Sequence, residues 1–93
     1  MKTTNKLISE VCFYPLRPNE KGLIGFASCL FYEKLALNSI AVYTTLSGDI
    51  RLLFPDKLLP NGKQINVFYP IRKEVYEEIR VAIVNKIKEL AKT

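Results

Sequence analysis

The spacing of hydrophobic positions along this 93-residue chain changes near Pro70. Before Pro70, short runs rich in β-branched and aromatic residues alternate with clusters of Gly, Pro, Asn and Asp, which is typical of strands and turns. After it, apolar residues recur every three or four positions, which is typical of an amphipathic helix. The pattern predicts an α+β domain: a small antiparallel β-sheet of four to five strands followed by one C-terminal α-helix.

Five runs of the first part are predicted to be strands: residues 7–16, 23–32, 35–43, 50–54 and 64–69. The first run contains Pro15, which cannot donate a ladder hydrogen bond, so we expect this strand near a sheet edge. In the second run, Ala27 and Cys29 alternate with Phe26 and Leu30, and both faces are therefore largely apolar. We expect a central strand that is covered on both sides, or one whose second face is buried in a dimer.

The connections between the predicted strands differ in how strongly their sequences favour a turn. Glu33-Lys34 is a short polar break between the second and third strands, which we expect to form a hairpin. Because this pair is a poor turn sequence compared with Asn-Gly, the register of that hairpin stays open. Pro55 ends the fourth strand, and residues 55–63 are predicted to be a loop in which Asn61-Gly62 tolerates left-handed backbone.

The helix is predicted over residues 72–91. Its apolar positions form one stripe at helical spacing: Val75, Ile79, Ala82, Ile83, Ile87 and Leu90. Glutamates in the first turns and lysines in the last turns complement the helix dipole. Pro70 favours extended geometry in the residue before it, so we expect the helix to begin just beyond Pro70 and to cover one face of the sheet.

The length of the chain fits one domain spanning residues 1–93, since a chain of this size buries about 60–70% of its unfolded surface. The apolar runs are far below the length of a membrane span, and the N-terminus lacks the apolar core of a signal peptide. The two cysteines, Cys12 and Cys29, lie in apolar stretches without CxxC spacing. We therefore expect a cytoplasmic protein with two buried, reduced thiols and no membrane partner.

The sequence offers little for catalysis. It contains no histidine, which removes the commonest proton shuttle and metal ligand. Apolar neighbours tend to raise the pKa of Cys12 and Cys29 rather than activate them. The glycines match no phosphate-binding spacing. We predict no catalytic residue, no metal site, no cofactor and no small-molecule substrate, and hence a protein that is not an enzyme.

The net charge of +5 permits attraction to phosphate but does not itself make a binding site. Five basic residues surround the predicted loop and the start of the helix: Arg51, Lys57, Lys63, Arg72 and Lys73. Phosphate contact and simple solvation explain them equally well. Cations at a helix N-terminus are unfavourable, which hints at a bound anion, although Glu74 also offsets their cost.

Three short motifs in order, Pro55-x-Lys57, Pro60-Asn61-Gly62 and Pro70-Ile71, lead into the helix. In this order and spacing the chain resembles the stage V sporulation protein G (septation regulator) family over residues 9–90. The resemblance implies a small bacterial, cytoplasmic homodimer that binds DNA and RNA and acts as a septation or sporulation regulator. In the family the last motif typically reads His-Pro-Ile, where this chain has Tyr69.

The resemblance also implies where nucleic acid is contacted. In the family, basic residues in and after a Pro-Ser-Lys/Arg step are implicated, and of these only Lys57 matches directly. Asp56 replaces the small polar residue, and Leu58 and Ile65 stand where further basic residues are typical. Arg51 and Lys63 are nearby substitutes by position, and Arg72 and Lys73 complete the predicted nucleic-acid-binding set.

Two hypotheses follow for the function. The first is a dimeric regulator that binds DNA or RNA through these basic residues. The alternative is a protein-interaction module on the same fold that has lost the nucleic-acid surface. A contiguous exposed patch of Leu58, Leu59 and Ile65 would favour the alternative.

Overall fold

The computed structural model describes residues 7–17 and 21–91. Its elements follow in the order β1 (Ile8–Pro15), β2 (Leu23–Phe31), β3 (Leu35–Thr44), β4 (Ile50–Leu53), β5 (Asp56–Leu58), β6 (Gln64–Asn66) and α1 (Lys73–Ala91). Strands β1 to β4 form one antiparallel sheet in sequential order, and β5 pairs with β6 alone. The predicted α+β fold, a four-stranded sheet with a C-terminal helix, is confirmed.

The fifth predicted strand does not join this sheet. Only Gln64–Asn66 of residues 64–69 is a strand, and it pairs with Asp56–Leu58, inside the segment predicted to be a loop. A strand of three residues between Pro55 and Pro60 is too short to show the alternation that marks a strand in a sequence. The result is a second, two-stranded sheet outside the main one.

The hydrophobic core lies between α1 and one face of the main sheet. Ile79 and Ile83 of the helix are 1% and 0% exposed and belong to the same buried cluster as Ile40 and Val42 of β3. The buried hydrophobic residues are Ile8, Ala27, Cys29, Leu37, Ile40, Val42, Leu52, Ile79 and Ile83. The predicted helical stripe is thus confirmed from Val75 to Ile87, whereas Leu90 is 44% exposed and lies outside the cluster. No helix in residues 7–17 and 21–91 is both long and apolar enough to cross a membrane.

The positions of β1 and β2 follow the sequence prediction. β1 is an edge strand, and β2 lies between β1 and β3. On β2, Ala27 and Cys29 are buried in the core, while Phe26 on the other face is 37% exposed. Gly25 is needed because a Cβ there would lie 2.5 Å from the backbone carbonyl oxygen of Tyr14 on β1 and 2.7 Å from the ring of Phe13.

The prediction of two buried thiols is wrong for Cys12. Cys29 is buried, and burial raises the pKa of its thiol, but Cys12 is exposed. The cause is an irregularity in β1 between Ser9 and Cys12, where Glu10 has a φ of 49°. The extra residue inverts the in-and-out alternation, so Cys12, which shares the parity of the buried Ile8, faces away from the core.

The hairpin between β2 and β3 is formed, and its three-residue turn, residues 32–34, contains the predicted Glu33-Lys34 break and one further residue, since Phe31 pairs with Leu35. Tyr32 and Glu33 have φ values of 56° and 59°, and the N–H of Lys34 donates to the carbonyl of Phe31 at 3.0 Å. Left-handed backbone at both positions is the requirement that usually selects Asn-Gly in such hairpins. Each of these two residues carries a Cβ, so the turn is strained.

Glu33→Gly is expected to stabilise the protein, because glycine adopts left-handed backbone without a steric penalty. The strain relieved is about 1–2 kcal/mol and the added flexibility of the unfolded chain costs about 0.5–1 kcal/mol, which leaves a gain of about 0.5–1 kcal/mol. Urea unfolding measures the change in free energy. Glu33→Ala is the control, because alanine keeps the strain. An equal gain in the alanine variant would show that the glutamate side chain, not the backbone, is unfavourable.

Candidate nucleic-acid interface

Strands β5 and β6 and the turn between them form an arm, residues 56–66, that extends from the body of the protein. Every arm residue except Leu59 is exposed, and the arm packs mainly on itself. The described part of the chain measures 51 × 30 × 21 Å, which is elongated for a single small domain. The arm therefore presents both of its faces to the surroundings.

The turn of the arm explains the Pro60-Asn61-Gly62 motif. The N–H of Gly62 donates to the carbonyl of Leu59 at 2.9 Å, and the N–H of Leu59 donates to the carbonyl of Lys63 at 2.7 Å. Gly62 has a φ of 87°, which glycine adopts readily. The side-chain oxygen of Asn61 accepts from the N–H of Lys63 at 3.0 Å. This is a three-residue hairpin loop, and it fixes the register of the arm.

The register places Lys57 and Lys63 on the same face of the arm. Lys57 lies opposite Ile65, and the closing pair of the turn joins Leu59 to Lys63. Because cross-strand partners share a face and alternate residues share a face, these four residues lie together. We call this set, Lys57, Leu59, Lys63 and Ile65, the basic face of the arm.

The opposite face of the arm holds one acidic, two amide and one apolar side chain. Asp56 lies opposite Asn66, and Leu58 lies opposite Gln64. Asp56, the acidic replacement in the family motif, is therefore kept off the basic face. Leu58 and Ile65 are 64% and 47% exposed but point in opposite directions, and Leu59 is only half-buried. The three residues do not form one contiguous apolar patch.

The other three predicted basic residues lie outside the arm. Arg72 and Lys73 are exposed at the start of α1, where the carbonyl of Arg72 accepts the N–H of Tyr76 at 3.2 Å. Arg51 lies on β4 opposite Tyr43, on the sheet face that points away from the helix. The predicted set thus separates into three parts. Lys57 and Lys63 share the basic face of the arm, Arg72 and Lys73 lie at the start of the helix, and Arg51 lies apart from both pairs.

The base of the arm is held by aromatic residues. The ring of Phe54, before β5, lies 5.9 Å from the ring of Phe68, after β6, in an edge-to-face arrangement. The ring of Tyr76 lies 6.1 Å from Phe54, and its hydroxyl oxygen accepts the N–H of Leu52 at 3.0 Å. The helix therefore fixes both the end of β4 and the point where the arm leaves the body.

An apolar cavity opens beside these aromatic residues. Its volume is about 160 Å³, and we call it the base pocket. It is lined by Phe31, Leu35, Leu37, Phe54, Phe68, Tyr69, Pro70, Val75 and Ile79, with no charged side chain among them. No sequence pattern predicts this pocket, because its walls come from two strands, the segments flanking the arm, and the helix.

A second concave surface is acidic, whereas the base pocket is uncharged. The groove between β1 and α1 has a volume of about 730 Å³, and its wall includes four glutamates: Glu10, Glu74, Glu77 and Glu78. Glu77 also accepts from the guanidinium of Arg80 at 3.1 Å, a contact that raises the pKa of Arg80. The acidic groove repels phosphate, so an anionic polymer is directed to other parts of the surface.

The sheet face opposite α1 is largely apolar and exposed. One row crosses all four strands, with Tyr14 opposite Phe26, Phe26 opposite Ala41 and Ala41 opposite Leu53. Tyr14 and Leu53 are 58% and 50% exposed. We call this row the open face. Its side chains lack the cover that α1 provides on the other side of the sheet.

Within the part of the chain that the structure describes, no three His, Cys, Asp or Glu side chains gather in a way that could hold a metal ion. No protein-family model and no curated protein matches this chain. The likeness to septation regulators therefore stays a prediction drawn from the motifs of the arm and the segment that leads into the helix.

Tyr76→Phe is expected to destabilise the protein by about 1–3 kcal/mol, because it leaves the buried N–H of Leu52 without an acceptor. The free energy of unfolding in urea measures the loss. Tyr43→Phe removes a hydroxyl from the other face of the sheet and serves as the matched control, for which we expect little change. Equal effects of the two substitutions would contradict the role assigned to the Tyr76 hydroxyl.

Proposed function

We propose that this protein is a homodimeric, cytoplasmic regulator that binds DNA or RNA, as the resemblance to septation regulators implies, and that it is not an enzyme. The observation that carries the proposal is the register of the arm. It puts Lys57 and Lys63 on one exposed face and Asp56 on the other. A projecting hairpin with cations on one face is a suitable shape for contact with a phosphate backbone.

The chemistry of this face favours binding without strong sequence preference. Lysine contacts phosphate as a point charge, and such contacts fix the position of a protein on nucleic acid without reading bases. Leu59 and Ile65 lie between the lysines in place of further cations, so each arm supplies few ionic contacts. Affinity is therefore expected to be modest and strongly dependent on salt.

The start of the helix supplies a second group of cations. Arg72 and Lys73 add side-chain charge at an end where the backbone N–H groups of a helix already favour anions. The segment from Val67 to Arg72 connects this end directly to the arm. Arg51, on the opposite side of the sheet from the helix, is a peripheral member of the interface in this proposal.

A second copy of the chain is the proposed cover for the open face. A two-fold axis brings the same surface of both copies together, so an apolar row such as Tyr14, Phe26 and Leu53 packs against itself. Leu53 is the last residue of β4, and the arm begins a few residues later at Asp56. Dimerisation through this face would therefore place the roots of both arms near the interface and double the number of cations.

The nucleic-acid proposal predicts that Lys57→Ala with Lys63→Ala weakens binding of DNA and RNA. Fluorescence anisotropy at two or more salt concentrations measures both the affinity and its salt dependence. The slope of log affinity against log salt is expected to become shallower by about one for each lysine that contacts a phosphate. Lys86→Ala with Lys88→Ala removes the same charge from the far end of α1 and is the matched control.

The expected result is a clear loss of affinity in the arm variant and little change in the helix variant. If the two variants lose affinity equally, net charge rather than the arm accounts for binding. Absence of binding by the unaltered protein at low salt would overturn the proposal itself.

The dimer proposal predicts that Phe26→Glu yields a monomer, because two-fold symmetry would place two charges in one apolar interface. Sedimentation equilibrium measures the mass, and circular dichroism checks that the variant is folded. Leu90→Glu is the matched control, since Leu90 is 44% exposed compared with 37% for Phe26 and lies away from the open face. A monomeric unaltered protein, or a Phe26→Glu variant that stays dimeric, would contradict this interface.

A further inference from the structure

The base pocket lies along the chain between the two pairs of cations. Phe54 and Phe68, which form part of its wall, flank the arm that carries Lys57 and Lys63. Tyr69 and Pro70 continue that wall towards Arg72. The segments that form this wall therefore continue along the chain to one pair of cations in the arm and to the other at the start of the helix.

The size and lining of the base pocket suit one flat ring. Its volume of about 160 Å³ is close to that of an apolar cavity of about 150 Å³ that accepts benzene. Phe54, Phe68 and Tyr69 supply aromatic surfaces, and the edge-to-face contact between the two phenylalanines shows that rings already pack in this geometry. Tyr69 is 55% exposed, so part of its ring is available to a ligand.

The charge that would select an anionic ligand lies beside the pocket rather than in it. The nine lining residues include neither an acidic nor a basic side chain, whereas the groove on the β1 side of the helix has four glutamates. Lys57 and Arg72 closely follow Phe54 and Pro70 in the sequence, although Glu74 and Glu78 also adjoin the lining residues Val75 and Ile79. A ligand that combines a flat ring with flanking negative charge matches both features, and an unpaired nucleotide is such a ligand.

We propose that the base pocket receives one unpaired base of a single-stranded nucleic acid while Lys57, Lys63, Arg72 and Lys73 hold the flanking phosphates. This inference rests on the proposed function and names its substrate class. In a duplex the bases are paired and stacked, so a base reaches the pocket only after unstacking, which costs free energy. Packing of a base on aromatic side chains needs no reading of its hydrogen-bonding edge, and a cavity of this size favours the single ring of a pyrimidine over the fused rings of a purine.

The first test compares a short single-stranded oligonucleotide with the matching duplex by fluorescence anisotropy at low salt. We expect the full-length protein to bind the single strand about tenfold more tightly. Tyr69→Ala is expected to remove about tenfold of affinity for the single strand, and Tyr69→Phe to retain it, since phenylalanine keeps the stacking surface. Ile71→Ala is the control, because Ile71 is 83% exposed and is not part of the pocket lining.

The second test needs no substitution. Methyl NMR spectra of the unaltered protein are recorded with increasing amounts of the single strand. A base in the pocket produces ring-current shifts at the methyl groups of Leu35, Leu37 and Val75, which line it. Unmoved signals from these methyl groups at saturation would overturn the inference even if the Tyr69 variants were too unstable to measure.

The outcomes separate this inference from the function it rests on. Equal affinity for the single strand and the duplex, with Tyr69→Ala unchanged and the Lys57→Ala, Lys63→Ala variant weakened, leaves the proposed function standing and overturns the base pocket. Failure to bind any oligonucleotide at low salt overturns the proposed function and the inference with it.

Discussion

The packing of one helix against one face of a four-stranded sheet is the constraint on which the rest of this structure depends. Ile79 and Ile83 occupy the centre of the core, and the sheet residues around them are buried in turn. Because the chain has a single long helix in its described part, the opposite sheet face keeps exposed side chains such as Tyr14 and Phe26. On the same helix, the hydroxyl oxygen of Tyr76 accepts the N–H of Leu52, and this contact fixes the base of the arm.

Alternation of side chains decides what each surface can bind. In the arm, the three-residue turn sets a register that keeps Lys57 and Lys63 on one face and Asp56 on the other. In β1, one irregularity at Glu10 turns Cys12 outward. A shift of register by one residue, in the arm or in the pairing of β1 with β2, would exchange the two faces of that strand. These local features therefore determine which side chains face solvent and which face the core.

The sequence alone predicted the elements with strong periodicity. The helix, the edge position of β1 and the central position of β2 follow from spacing and from Pro15. The first half of the arm was predicted as a loop because β5 is three residues long. Tyr32 was assigned to the strand before the hairpin, because neither Tyr32 nor Glu33 favours left-handed backbone. The exposure of Cys12 depends on an irregularity in β1, and the base pocket depends on contacts between segments distant in the sequence. Hydrophobic periodicity reports neither feature.

The most direct test of the account is a methyl NMR titration that compares the two faces of the arm. Leu58 and Ile65 carry methyl groups on opposite faces, and Val81 reports on the acidic groove. If nucleic acid binds the basic face, the signals of Ile65 shift on addition of an oligonucleotide, while those of Leu58 and Val81 stay in place. Shifts at Leu58 or Val81 without a shift at Ile65 would show that nucleic acid does not bind the basic face.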